Sequence, residues 1–191
     1  MKKYLFIFFF LLVLLENISA SDTIRNQFEY FSLREGLSQA TVNWIIQDKQ
    51  GFIWIATQDG LNRYDGYEFL HYKNTHNQNS LSHNYINTLE EMSDGTIWIG
   101  TWGGGISIYS PGKETFDFLT KSSKTPLSSN TIFSLMEEAN NIWIGTEGGL
   151  NIYNRSLETI EIFTDKDGLP SNAIFGTVKT PDNNIWIATR N

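Results

Sequence analysis

Asn141-Ile142-Trp143-Ile144-Gly145-Thr146 decides the fold, because the same phrase occurs four times in the chain. The other copies are Phe52-Ile53-Trp54-Ile55-Ala56-Thr57, Thr96-Ile97-Trp98-Ile99-Gly100-Thr101 and Asn184-Ile185-Trp186-Ile187-Ala188-Thr189. Their tryptophans are 44, 45 and 43 residues apart. A second marker keeps step with the first: Leu37-Ser38, Leu81-Ser82, Leu127-Ser128 and Leu169-Pro170. Two markers in phase through four copies identify a repeat protein.

Working outward from the tryptophan, each unit reads as four short strands. The first follows the Leu-Ser marker, at residues 42–47, 86–91, 132–137 and 174–179. Gln50-Gly51, Asp94-Gly95, Asn140-Asn141 and Asn183-Asn184 then supply the Gly and Asn that tight hairpin turns require. The Ile-Trp-Ile phrase is the second strand, rich in β-branched and aromatic residues suited to a pleated surface. Glycine-rich turns lead to a third strand at 61–64, 106–109 and 150–153, and polar turns to a fourth at 67–72, 115–119 and 159–163. Four antiparallel strands per repeat of this length is the pattern of a β-propeller blade. The expected fold is therefore all-β, with blades at approximately 37–72, 81–119, 127–163 and, incomplete, 169–191. Phe28-Glu29-Tyr30-Phe31 copies Ile160-Glu161-Ile162-Phe163, so residues 28–32 read as a lone fourth strand of the kind that closes a ring. The expectation is about three and a half blades plus that closing strand, part of a larger propeller.

Composition agrees with a packed β domain. The chain has 191 residues, 40% of them hydrophobic, 14% aromatic and only 18% charged. Disordered chains and coiled coils have the opposite balance. A net charge of −7 argues against contact with nucleic acid, which needs clustered Lys and Arg. No cysteine is present, so disulfides, zinc–thiolate sites and lipidated cysteines are excluded. At the N-terminus, Lys2 and Lys3 precede an apolar run over residues 4–15, and Ile18-Ser19-Ala20 follows. Residues 1–20 thus read as a secretory signal, too short in its apolar part to span a membrane.

The phrases at 51–65 and 141–154, with the Gly-Leu-Ser/Pro lead-ins at Gly36 and Gly168, resemble two-component regulator propeller repeats. The resemblance covers nearly all of residues 21–191. It implies the periplasmic sensor region of a hybrid two-component histidine kinase of the Bacteroidetes type. Such regions contain paired seven-bladed propellers and sense glycan fragments. Kinase activity and a membrane helix are then implied for a longer parent, not for these residues.

Candidate site residues follow from the repeat frame. Gln58, Trp102, Glu147 and Arg190 each follow the closing Thr of the second strand, and they differ where their neighbours stay constant. Together with Asp59 they are the expected ligand-binding set, Trp102 offering an indole to a sugar ring and the others meeting hydroxyls or a sugar acid. Trp54, Trp98, Trp143 and Trp186 are expected as structural fillers between blades, and Asn84, Asn130 and Asn172 as turn braces. His71, His76 and His83 match no zinc spacing, so no metal site is expected. The pairs Glu90-Glu91 and Glu137-Glu138 read as solvated strand ends, and no catalytic constellation or cofactor motif is present. The leading expectation is a non-enzymatic sensor module with an oligosaccharide ligand, no cofactor, and the rest of a membrane-bound sensor kinase as partner. A homodimer in the parent is a further expectation. The alternatives are a secreted protein-interaction scaffold and a polysaccharide-active propeller enzyme.

Overall fold

The computed structural model describes residues 28–77 and 79–190. Its first sheet is β1 (Val42–Gln47), β2 (Ile53–Thr57), β3 (Gly60–Tyr64) and β4 (Phe69–Tyr72). The second is β5 (Ile86–Glu91), β6 (Ile97–Thr101), β7 (Ile106–Ser110) and β8 (Thr115–Leu119). The third is β9 (Ile132–Glu138), β10 (Asn141–Thr146), β11 (Gly149–Asn154) and β12 (Thr159–Phe163), and the fourth holds only β13 (Ile174–Lys179) and β14 (Ile185–Thr189). Every sheet is an antiparallel meander in chain order. The first strands lie side by side, β1 beside β5, β5 beside β9 and β9 beside β13. These are propeller blades, numbered one to four below.

The two sequence markers have a common physical role. Leu37, Leu81 and Leu127 are buried, while the serine that follows each one gives its N–H to the third strand of its own blade. Ser38 and Ser128 donate to Asn62 Oδ1 and Asn151 Oδ1 at 2.8 Å, and Ser82 donates to Ser107 Oγ at 3.0 Å. Those acceptors are fully buried, so the bonds satisfy polar groups that would otherwise be costly. The Thr closing each second strand works alike: Thr57, Thr101 and Thr146 donate to the carbonyls of Gly60, Gly105 and Gly149, each at 2.8 Å. At Gly105, with φ +75°, a Cβ would lie 2.5 Å from the Leu119 carbonyl oxygen, so only glycine fits.

Two cores lie between blades. Trp54, Leu81, Ile86 and Tyr109 fill the space between blades one and two; Trp98, Leu127, Ile132 and Ile142 fill that between two and three. Trp54 also donates its indole N–H to Asp48 Oδ2 at 2.6 Å. The repeated indole is less uniform than the sequence suggests. Trp143 is half-buried, and Trp186 is 67% exposed. The face it occupies has no further blade against it among the described residues.

Further differences concern strand ends. Residues 28–32 form no strand, in contrast to the expected closing strand. Phe31 packs by its ring instead, 5.1 Å from Tyr64 and 5.7 Å from Phe69 between centroids. β4 starts at Phe69 rather than 67, because Asp65 Oδ1 draws the N–H groups of Tyr67 and Glu68 into a turn. Three members of the acidic pairs, Glu91, Glu137 and Glu138, are clips between blades, not merely solvated ends. Glu91 accepts the Lys49 N–H at 3.0 Å, Glu137 accepts the Ser93 N–H at 2.6 Å and pairs with Arg155 at 2.5 Å, and Glu138 pairs with Lys179 at 2.8 Å. Residues 31–191 make up one compact unit, and the secretory signal expected at 1–20 lies outside the described residues. Among the described residues no helix is long and apolar enough to cross a membrane.

Candidate functional site

The site starts from a bulge. In each first strand one residue is skipped by the ladder: Asn43, Asn87, Phe133 and Phe175. A bulge re-aims the side chain it carries. In blades one and two that side chain is an amide reaching across to the next blade, Asn43 Nδ2 to the Ile86 carbonyl and Asn87 Nδ2 to the Ile132 carbonyl, both at 2.7 Å. In blades three and four it is a phenyl ring. The inter-blade hydrogen bond is thereby replaced by an aromatic contact, Phe133 to Phe175 at 4.8 Å between centroids.

These rings join residues from the loops that follow the second strands. Trp102 lies 5.8 Å from Phe133, edge-on at 71°, and 5.7 Å from Tyr85. Its backbone is fixed, the N–H donating to the Tyr85 carbonyl at 2.9 Å. Gln58 Nε2 donates to the Tyr85 hydroxyl at 3.2 Å. At the far end the Arg190 guanidinium sits over Phe175, 5.9 Å from the ring centroid. The result is a continuous strip, Gln58–Tyr85–Trp102–Phe133–Phe175–Arg190, crossing all four blades. Trp102 is 51% exposed and Phe175 44% exposed, so the strip presents aromatic surface to solvent between polar ends.

Three of the five sequence-predicted ligand residues, Gln58, Trp102 and Arg190, are thus brought together. Asp59 is engaged elsewhere, paired with Lys73 at 2.6 Å and accepting Asn84 Nδ2 at 3.2 Å. Glu147 is exposed, with its backbone N–H on the Thr131 carbonyl. Asn84, Asn130 and Asn172 accept the N–H groups of Asn74, Lys121 and Asp165, each at 2.7 Å. His71 faces the Gly36 carbonyl at 2.7 Å, and His83 accepts the Tyr85 N–H at 3.0 Å. Among the described residues no three His, Asp or Glu side chains converge to hold a metal. Sequence reasoning missed Tyr85, Phe133 and Phe175. The signal available for the last two was the change from Asn to Phe at a fixed repeat position.

A concavity of about 420 Å³ adjoins the strip, sharing Phe133 and Phe175 with it, and is lined by first-strand residues of all four blades, among them Trp44, Glu90, Glu137 and Lys179. Burial pushes the Glu90 carboxyl up to about 7, with the negative charges of Glu137 and Glu91 acting in the same direction.

The pattern described as two component regulator propeller matches residues 36–59, 80–103, 126–148 and 162–191. This chain belongs to the two component regulator propeller family. A 47-residue stretch of the regulator propeller is 49% identical to Histidine kinase P4 of Formosa agariphila, covering 25% of this chain and 3% of that protein. Among solved structures it is similar to the extracellular domain assigned to a hybrid two component system of B. thetaiotaomicron, with a TM-score of 0.77 and 24% identity over 84% of this chain and 24% of that one. A second such domain from the same organism gives 0.74 and 21% identity, over 87% of this chain and 25% of that one. These structural likenesses concern the fold. The regulator propeller spans about a quarter of the length of the structures it resembles and a small part of the kinase.

Proposed function

We propose that this chain is the ligand-sensing part of a two-component receptor, exported by residues 1–20 to the periplasm, and that it binds an oligosaccharide without catalysis. The observation that carries the reading is the exposed aromatic strip around Trp102. Soluble proteins rarely leave joined aromatic surface open unless it meets a partner, and flat rings accept the apolar C–H faces of sugars while polar ends meet hydroxyls. Family membership and the kinase relative support signalling through a histidine kinase carried by a longer parent. The extracellular neighbours support a location outside the cytoplasm.

Titration calorimetry of the purified protein against a panel of plant and algal oligosaccharides tests the reading. Trp102→Ala is expected to weaken binding by at least about tenfold, the loss of roughly 1.4 kcal/mol. Its circular dichroism should stay that of the parent, because Trp102 is half exposed. Unchanged affinity in a folded Trp102→Ala protein would remove the strip from the site.

A further inference from the structure

We infer that the concavity beside the strip is a subsite for a primary ammonium group with Glu90 as its counter-ion, so that the glycan on the strip carries a free amino sugar. This rests on the proposed sugar-binding role of the strip and names the chemical class of its ligand.

Glu90 stands apart from the other carboxyls of this acidic protein. Among the described residues it is the one acidic side chain that is not exposed and yet has neither a hydrogen bond nor an ion pair. The other acidic residues that are not exposed, Asp48, Asp59, Glu91, Glu137 and Glu138, each hold a partner. Lys179, the cation of the same lining, is spent on Glu138. Glu90 is therefore desolvated without compensation, and the nearby charges of Glu137 and Glu91 add to the cost of ionising it. A cation in the concavity would offset both effects.

The walls select the kind of cation. Trp44, Phe133 and Phe175 line the concavity, and aromatic faces attract ammonium groups. Hard metal ions instead need several oxygen ligands, and among the described residues no three acidic or histidine side chains converge to hold one. Ser134 and Thr177 belong to the same lining, and their buried hydroxyls have no hydrogen-bond partner among the described residues. Ser134 is only 9% exposed. An ammonium carries three N–H donors, so a wall with an unpaired carboxyl and unspent hydroxyl oxygens suits it in hydrogen bonding as well as in charge. Phe133 and Phe175 belong to both strip and concavity, so a sugar lying on the strip brings its substituents to this opening.

The test titrates oligomers of glucosamine and galactosamine beside the same oligomers N-acetylated, which removes the charge and keeps ring and linkage. At least one free amine is expected to bind at least about tenfold more tightly than its acetylated form, with affinity that falls as salt rises. Glu90→Gln should bring the two forms to the same affinity without abolishing binding, and Glu90→Asp should keep part of the difference. Glu161→Gln removes an equal charge at an exposed site and should leave the difference unchanged. Trp102→Ala should weaken both forms alike. Equal binding of amine and acetylated form, binding of other neutral oligosaccharides alone, a preference that survives Glu90→Gln, or one lost equally in Glu161→Gln overturns the inference while leaving sugar binding in place. If no member of a panel including neutral oligosaccharides binds, the proposed function falls and the inference falls with it.

Discussion

Trp54 and Glu90 show how far a repeated frame leaves each residue to its own surroundings. Trp54 has Asp48 to receive its indole N–H, whereas the buried Nε1 of Trp143 has no partner. In the second repeat the place of Asp48 is taken by Met92, which the same turn hydrogen bond identifies as its counterpart and which is fully buried. Glu90 pairs across the ladder with Trp98 and reaches into the concavity shared by the first strands. Its carboxyl is raised from 4.5 to about 7 in the folded protein. Between those values the folded state holds the proton that the unfolded state has lost, so folding stability is greatest below pH 4.5 in this respect and declines as pH rises through 7. Lys179, in the same lining, is already committed to Glu138 and offers limited relief. Glu90→Gln is therefore expected to raise stability at pH 8 and leave it nearly unchanged at pH 5. Partial exposure discounts the effect to about 1 kcal/mol, on the order of 3 °C in Tm. Thermal melts of both proteins across pH 5 to 8 check this; parallel curves would show that Glu90 is not desolvated.

At the level of strands, the second strand shows why the position before its closing Thr is glycine in the two middle blades. Ala56 and Ala188 stand where blades two and three have Gly100 and Gly145. A Cβ on Gly100 would lie 2.5 Å from Thr88 Cγ2 and 2.8 Å from Ile132 Cγ2, the latter belonging to the next blade. Gly100→Ala must push blades two and three apart, which is expected to cost about 1–3 kcal/mol, measurable as a lower denaturation midpoint. A neutral substitution there would mean that the blades slide freely. The blades themselves were legible in the sequence because period-2 strands, turn residues and two phased markers all agreed. The strip was only partly legible. Gln58, Trp102 and Arg190 stood out as variable positions in a constant frame. Phe133 and Phe175 did not, because strict alternation assigns each residue to a blade face, and a one-residue bulge breaks that alternation. Trp186 adds a separate point: a repeat predicts the same side chain, but burial depends on what stands opposite.

Across the whole molecule, order is uneven. β6 is buried along its full length, whereas β14 alternates between half-buried and exposed residues. Hydrogen exchange followed by mass spectrometry should find β6 amides exchanging at least about tenfold more slowly than those of β14, since local opening tracks buried contacts. Uniform protection would mean that all four sheets open together. A final consequence follows from the clips between first strands. Asn43 to Ile86, Asn87 to Ile132, Lys49 to Glu91 and Ser93 to Glu137 join residues 43, 45, 42 and 44 positions apart, one repeat in every case. Interactions of this kind make a linear array in which each unit rests on its predecessor. A nascent chain emerging amino end first can therefore lay each blade on one already formed, and these clips never oblige a segment to await a partner more than a single repeat away.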